Sequence, residues 1–174
     1  MLEGKYKDFL ESISKNIEHN RIFTDKLHTL VYGTDASFYR LLPKVVIKAD
    51  NSDEVQAIIK EAYKRELPIT LSGQAISDSI LIITSRKFTN FKLAEDKSYI
   101  SLEPAITGEQ ANNILKEFNK KIGPDPASIN AAMIGGIAAN NASGMCCGTA
   151  QNSYKTLKSI KLIMADGTRL DTAS

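Results

Sequence analysis

Two stretches of this sequence hold the small residues that a backbone needs to approach a ligand closely. The first is Leu71-Ser72-Gly73-Gln74-Ala75, directly after the strand-like pair Ile69-Thr70. Ligands of α/β sheets bind in loops at the carboxyl ends of parallel strands, and small residues there let N–H groups converge on an anion. One glycine in a short loop also fits an ordinary turn between strands.

The second stretch is longer. Gly123-Pro124-Asp125-Pro126-Ala127-Ser128 leads, through Met133, into Ile134-Gly135-Gly136 and then Asn140-Asn141-Ala142-Ser143-Gly144, with Gly148 beyond. Two prolines hold the entry extended. Paired glycines remove side chains where a backbone meets something flat or bulky. Asn140, Asn141 and Ser143 offer uncharged donors and acceptors. The mixture suits a cofactor lying against the main chain, and a tightly packed helix–sheet contact is the competing reading.

Other reactive residues carry less. Cys146 and Cys147 are adjacent; they read as small hydrophobes, or else as a redox-sensitive pair. His19 and His28 lack a partner pattern and read as surface or packing residues. Arg40 reads as a structural arginine, with an anion partner as the alternative. No nucleophile elbow, Walker loop or outstanding carboxylate pair is present. The sequence therefore names no catalytic residue and no metal ligand.

The elements that must position these stretches follow from periodicity. Tyr6, Phe9, Leu10, Ile13 and Ile17 form one helical stripe. Residues from Arg21 to Tyr39 read as largely irregular. Val45-Val46-Ile47 marks a strand covered on both faces. Asn51 caps a helix, with Glu54 completing a capping box and Val55, Ile58, Ile59 and Ala62 facing inward. Leu67-Pro68 stops it, and Ile69-Thr70 opens a second strand. This is a βαβ unit with parallel strands. Ile80 to Thr84 is a third strand and Tyr99 to Leu102 a fourth. Thr107 and Gln110 frame another capping box, opening a helix with Ala111, Ile114, Leu115 and Phe118 inside. Ile160, Leu162 and Met164 lead to Asp166-Gly167, a two-residue hairpin signal, and Thr168 to Asp171 returns. Ending as the last strand returns, the chain reads as a fragment.

Composition sets the outer limits. The chain has 174 residues, 43% apolar and 24% charged, with a net charge of +2. That is the profile of about one globular domain. Nearly balanced charge and a pI near 8.4 give no nucleic-acid footprint. The apolar run Ile80 to Ile83 is too short for a membrane span, and the N-terminus lacks the apolar core of a signal peptide. Two adjacent cysteines point to a reducing, cytoplasmic setting. Two cysteines and two histidines are too few for a metal centre.

Taken in order, Gly33-Thr34-Asp35-Ala36-Ser37, Pro68 through Ala75, Gly123 through Ser128, Ile134-Gly135-Gly136 and Asn140 through Gly144 resemble the FAD-binding domain of the FAD-linked oxidases, the vanillyl-alcohol-oxidase or PCMH superfamily. The D-lactate dehydrogenase and glycolate oxidase subunit group is most similar. The run from Asn140 to Tyr154, through Met145-Cys146-Cys147-Gly148-Thr149, resembles the large bacterial members that also carry an iron–sulfur domain.

The resemblance implies an α+β, PCMH-type fold: a small parallel β-α-β subdomain plus a larger, mainly antiparallel sheet with flanking helices, incomplete at the C-terminus. It implies a lead-in over 1–42 and an FAD-binding domain over 43–174, with subdomains near 43–85 and 97–174 and FAD between them. Leu71, Ser72, Gly73 and Gln74 correspond to the end of the pyrophosphate loop. Asp125, Pro126, Ala127, Ser128, Met133, Ile134, Gly135, Gly136, Asn140, Asn141, Ala142, Ser143, Gly144 and Gly148 correspond to the wall along the flavin and ribityl chain.

Three departures stand out. The family's Arg-x-x-Gly-Thr-Ser type stretch is missing, because Thr70 joins Leu71 directly. The expectation is a mobile loop left out of the sequence, since a true deletion would damage the phosphate cradle. Ala105 stands where the family has glycine. The parts holding the family's catalytic base, the substrate domain and any iron–sulfur cluster lie outside this chain.

The function implied is an FAD-binding domain of a flavin-dependent 2-hydroxy-acid dehydrogenase of D-lactate or glycolate type, inactive alone. FAD takes hydride at N5, the substrate comes through the missing domain, and the acceptor is unassigned. The enzyme is cytoplasmic, with contact to the inner membrane only through absent parts. The alternative is a non-catalytic module of the same fold that has lost FAD and serves for packing or partner contact. A reductase of an enolpyruvyl sugar nucleotide fits the Asn140–Gly144 run poorly.

Overall fold

The computed structural model describes residues 3–34, 38–71 and 76–173. It divides into two compact units. One comprises Met1–Ser85 with Lys161–Leu170, and the other Arg86–Ile160 with Asp171–Ser174.

The first unit is built on a four-stranded sheet, β1 (Ile22–Phe23), β2 (Val45–Ala49), β3 (Ile69–Leu71) and β4 (Ile80–Thr84), in the order β1-β2-β4-β3. β4 runs parallel to both β2 and β3, so the latter two are parallel to each other, as expected, but not adjacent. The buried run that reads as a third strand takes the central position because it is apolar on both faces: Ile80, Leu81 and Ile82 are almost fully buried. Strand alternation sends Val46 and Leu81 to one face, where Phe23, Tyr32 and Ile83 pack on them. β1 pairs antiparallel with β2 at the edge.

Helix α1 (Lys5–Ile13) buries Phe9 and Ile13, and Ile17 continues the stripe. α3 (Ser52–Lys64) buries Val55, Ile58, Ile59 and Ala62, the face its spacing predicts. The Asn51 side chain accepts the Glu54 N–H at 2.9 Å. Reciprocation differs from a simple capping box: Glu54 Oε2 accepts the Asp50 N–H at 2.8 Å instead. Glu54 also receives a two-pronged hydrogen bond from Arg21, at 2.7 and 2.9 Å. Arg21 further donates to the Lys48 carbonyl and lies 3.3 Å from Asp50. Arg21→Ala leaves two largely buried carboxylates without their cation, so it is expected to destabilise the fold by about 2 kcal/mol in urea unfolding.

A second ionic tie joins α3 to α1. Glu61 accepts from Lys64 and Arg65 at 2.6 Å each and from Ser12 at 2.8 Å. Hydrogen bonds from Lys64, Ser12 and Arg65, in that order, lower its pKa from 4.5 to about 2. The folded pKa lies below the unfolded one, so the stabilisation is complete above pH 4.5 and disappears as pH falls toward 2. Because Lys64 is solvent-exposed, the expected loss is about 1–2 kcal/mol. Urea titrations at pH 7 and pH 3 should show it in the wild type and not in Glu61→Gln.

The region from Arg21 to Tyr39 is not irregular. It contains a 3₁₀ turn (His19–Arg21), β1 and helix α2 (Lys26–Tyr32). Asp25 caps α2, its Oδ1 accepting the Leu27 and His28 N–H groups at 3.1 and 3.0 Å. Periodicity missed this helix because Leu27 and Val31 face solvent while Thr29 is buried. His28 is a packing residue, stacked on Phe23 at 4.4 Å between ring centroids.

β3 runs unbroken through Thr70 and Leu71, which pair with Leu81 and Ile82. In this chain the two residues are consecutive in one strand. β7 (Lys161–Ile163) and β8 (Arg169–Asp171) form the expected hairpin. Its turn is longer than two residues. The Gly167 N–H donates to the Met164 carbonyl, the Met164 N–H donates to the Thr168 carbonyl, and Gly167 has φ +82°. That is a three-residue loop with glycine in the left-handed region.

The second unit holds an antiparallel pair, β5 (Phe91–Leu93) and β6 (Ile100–Leu102). β6 is the predicted fourth strand. β5 escaped notice because three residues with a central lysine give no pattern. α4 (Gly108–Lys116) carries the predicted capping box, Thr107 with Gln110. α5 (Ile134–Ala139) and α6 (Ser153–Thr156) complete the unit. Phe88, Ile106, Ala111, Leu115, Ile137 and Cys147 form its core. Ala105 is buried there as well, so its methyl group is accommodated.

Candidate functional site

In the second unit the structure draws the predicted small-residue segments together. Residues 126–132 form consecutive turns, with Ile129 donating to the Pro126 carbonyl and Ala132 to Ser128. Their carbonyls cap α4: the Gly108 N–H donates to Ala132 and the Glu109 N–H to Ile129, each at 3.0 Å. Met133 precedes α5 and bridges to Thr107. The Ile134 and Gly135 N–H groups are already used, donating to the Ile106 and Pro104 carbonyls at 2.8 and 3.1 Å.

α5 ends in a Schellman motif. The Asn141 N–H donates to Ala138 at 3.1 Å and the Ala142 N–H to Ile137 at 2.9 Å, with Asn141 at φ 46°. Asparagine tolerates that conformation better than most residues. Its Oδ1 also accepts the Tyr154 N–H at 3.0 Å. Asn141 is thus explained by the helix stop and the tie to α6. Ser153, which sequence reasoning passed over, is buried, and its hydroxyl lies 3.0 and 2.9 Å from the Ile137 and Ala142 carbonyls. The signal for it was local: Asn152 is the N-cap of α6.

The glycines of this region divide into two kinds. A Cβ on Gly135 would lie 2.8 Å from Pro104 Cβ, and one on Gly144 only 1.6 Å from the Asp125 carbonyl oxygen. These two are required by the protein's own packing. Gly148 sits at φ +51°, which accounts for it by backbone conformation. Gly136 has neither reason. It is helical, and a Cβ there would meet nothing within 4 Å. Helical glycine costs about 0.5–1 kcal/mol relative to alanine, so Gly136 keeps an open surface at some expense in stability. Ala139 and Asn140, three and four residues on, share that face, and all three are exposed.

The remaining predicted residues fall as follows. Asp125 and Pro126 are half-buried under Gly144, while Ala127, Ser128 and Ser143 are exposed. Leu71 belongs to the first unit, exposed at the end of β3, and Thr70 Oγ1 beside it is buried without a partner among the described residues. Ser72, Gly73 and Gln74 lie outside the described residues. Cys146 is exposed, Cys147 is buried, and both thiols are free. Among the described residues no helix is long and apolar enough to cross a membrane.

Residues 43–173 match the FAD binding domain family. The chain is 23% identical over 178 residues to D-2-hydroxyglutarate dehydrogenase of Pseudomonas putida, covering 96% of this chain and 18% of that protein. It is 28% identical over 134 residues to D-lactate dehydrogenase of Archaeoglobus fulgidus, covering 71% and 29%. The chain therefore spans less than a third of either relative. Among solved structures, p-cresol methylhydroxylase superposes with a TM-score of 0.81 at 14% identity, over 99% of this chain and 36% of that one. The family match over three quarters of the chain and the shared fold lead to one assignment: the chain belongs to the FAD binding domain family of the FAD-linked oxidases, with its PCMH-type fold.

Proposed function

We propose that this chain is the flavin-holding part of a dehydrogenase for 2-hydroxy acids of the D-lactate, glycolate or D-2-hydroxyglutarate kind. The observation that carries the reading is Gly136, a helical glycine with an open face that neither packing nor backbone conformation requires. A flat ring system laid on that face accounts for it. Gly136, Ala139, Asn140 and Ser143 would line the flavin and ribityl wall, and the turn at 126–128 would border it. When bound, FAD supplies hydride acceptance at N5. The chain's own residues hold the ring by backbone contact and exclude water from one side.

The substrate class rests on the named relatives and on the sequence resemblance. The acid binds through a domain outside these residues. The electron acceptor, any iron–sulfur cluster and any contact with the inner membrane belong to that remainder, and the domain itself works in the cytoplasm. The chain alone turns over no substrate.

Titration of the purified chain with FAD, followed by flavin fluorescence, tests the reading. Saturable quenching at micromolar FAD is expected. A flat titration by folded protein would favour a module that has lost its flavin and serves for packing. The direct Thr70–Leu71 junction is what gives that second reading weight.

A further inference from the structure

The first unit has a groove along its edge strand β1. A cavity of about 380 Å³ lies between α1 and β1, lined by Leu10, Ser14, His19, Ile22 and Thr24. A second cavity, of about 460 Å³, shares Thr24 and continues past Arg40, Leu42 and Pro43. Thr24 follows β1 directly, so the two cavities meet at the end of the strand.

The backbone of β1 is open on its outer edge. β1 pairs with β2 alone, Ile22 opposite Ile47 and Phe23 opposite Val46. The Ile22 N–H turns back to the His19 carbonyl. On β2 the Ala49 carbonyl accepts from Ser85, beyond β4. Alternation then turns Ile47 toward β4 and Val46 toward β1, so Phe23 is the residue of β1 bonded to β2. The Ile22 carbonyl and the Thr24 N–H point the other way, and neither has a partner among the described residues. An acceptor and a donor on either side of Phe23 are what one residue of an added parallel strand takes up. Such an open edge is a template for a further strand.

The groove also has a chemical polarity. Its β1 end is apolar, with Leu10 and Ile22, and the charges there, Lys7 and Glu11, lie 3.9 Å apart and offset each other. At the other end Lys44 and Asp78 pair at 2.9 Å. Arg40 is the one lining cation without an acidic partner among the described residues. Its planar fork suits a carboxylate.

We infer that this groove binds an extended peptide segment laid parallel to β1, with an aliphatic side chain over Leu10 and Ile22 and an acidic side chain further along at Arg40. Backbone pairing supplies affinity and the two cavities supply selectivity. The probe is the blocked peptide acetyl-Thr-Val-Thr-Val-Thr-Glu-Thr-Glu-Thr-amide, titrated into the isotope-labelled chain and followed by amide NMR signals. Its alternation puts both valines and both glutamates on one face. Saturable shifts at Ile22, Phe23 and Thr24 are expected. A version with lysine for glutamate is expected to bind about tenfold more weakly, and Arg40→Gln, an exposed site, to abolish that difference. Methylating alternate backbone nitrogens of the peptide is expected to remove binding. No shifts at millimolar peptide, or equal affinity for the glutamate and lysine versions, overturns the inference. So does a concentration-dependent shift of the same signals without peptide, which would give the edge to a second copy of the chain. The titration needs no FAD, so each outcome leaves the flavin reading as it stands.

Discussion

Gly144→Ala is expected to destabilise the second unit by about 3 kcal/mol or more, the upper range for forced overpacking. The added Cβ would lie 1.6 Å from the Asp125 carbonyl oxygen, 2.3 Å from its carbon and 3.0 Å from its Cα. All three are backbone atoms, so no side-chain rotation relieves the clash. The Asp125 segment has little freedom to withdraw. Pro124 and Pro126 flank it with fixed φ, and Pro124 is buried. The following turn is tied to the start of α4 through the Ile129 and Ala132 carbonyls. Urea unfolding followed by circular dichroism measures the effect. A loss under 1 kcal/mol would mean that Asp125 does not run beneath Gly144.

Gly136→Ala should behave in the opposite way. No atom lies within 4 Å of the new methyl group, and alanine favours the helix by about 0.5–1 kcal/mol. Stability is therefore expected to hold or to rise slightly. Flavin affinity is expected to fall about tenfold, because the methyl group lifts a flat ligand off the backbone and forfeits its close contacts. The pairing of unchanged or improved stability with lost binding separates a ligand-facing glycine from a structural one. Unchanged flavin affinity in a well-folded Gly136→Ala variant would remove this face from the site. Gly144→Ala provides the contrast, since it reduces binding only through the fold.

Much of the architecture was legible because its causes are local. The cap at Asn51 and the inward face of α3 follow from side chains three and four residues apart. So does the reciprocal Thr107–Gln110 box. The buried β-branched runs became β2 and β4. Elements whose signals are not periodic were lost. α2 carries its apolar residues outward, and β5 has only three residues.

The small-residue segments that make up the site were likewise visible in the sequence, but their separate roles were not. Gly135 and Gly136 are neighbours of the same type. One is required by Pro104, a residue distant in the chain, and the other by nothing in the protein. Asn140 and Asn141 look equivalent in the sequence, yet only Asn141 stops the helix and holds Tyr154. Strand order was beyond local reasoning too. β4 lies between β2 and β3 because its fully apolar run must be covered on both faces and paired on both edges. The sequence by itself determined which segments form helices, strands and close-approach loops, because those choices depend on residues within a turn of each other. Only the tertiary structure decided strand order and which glycine faces a ligand, because both depend on what distant parts of the chain bring to the same place.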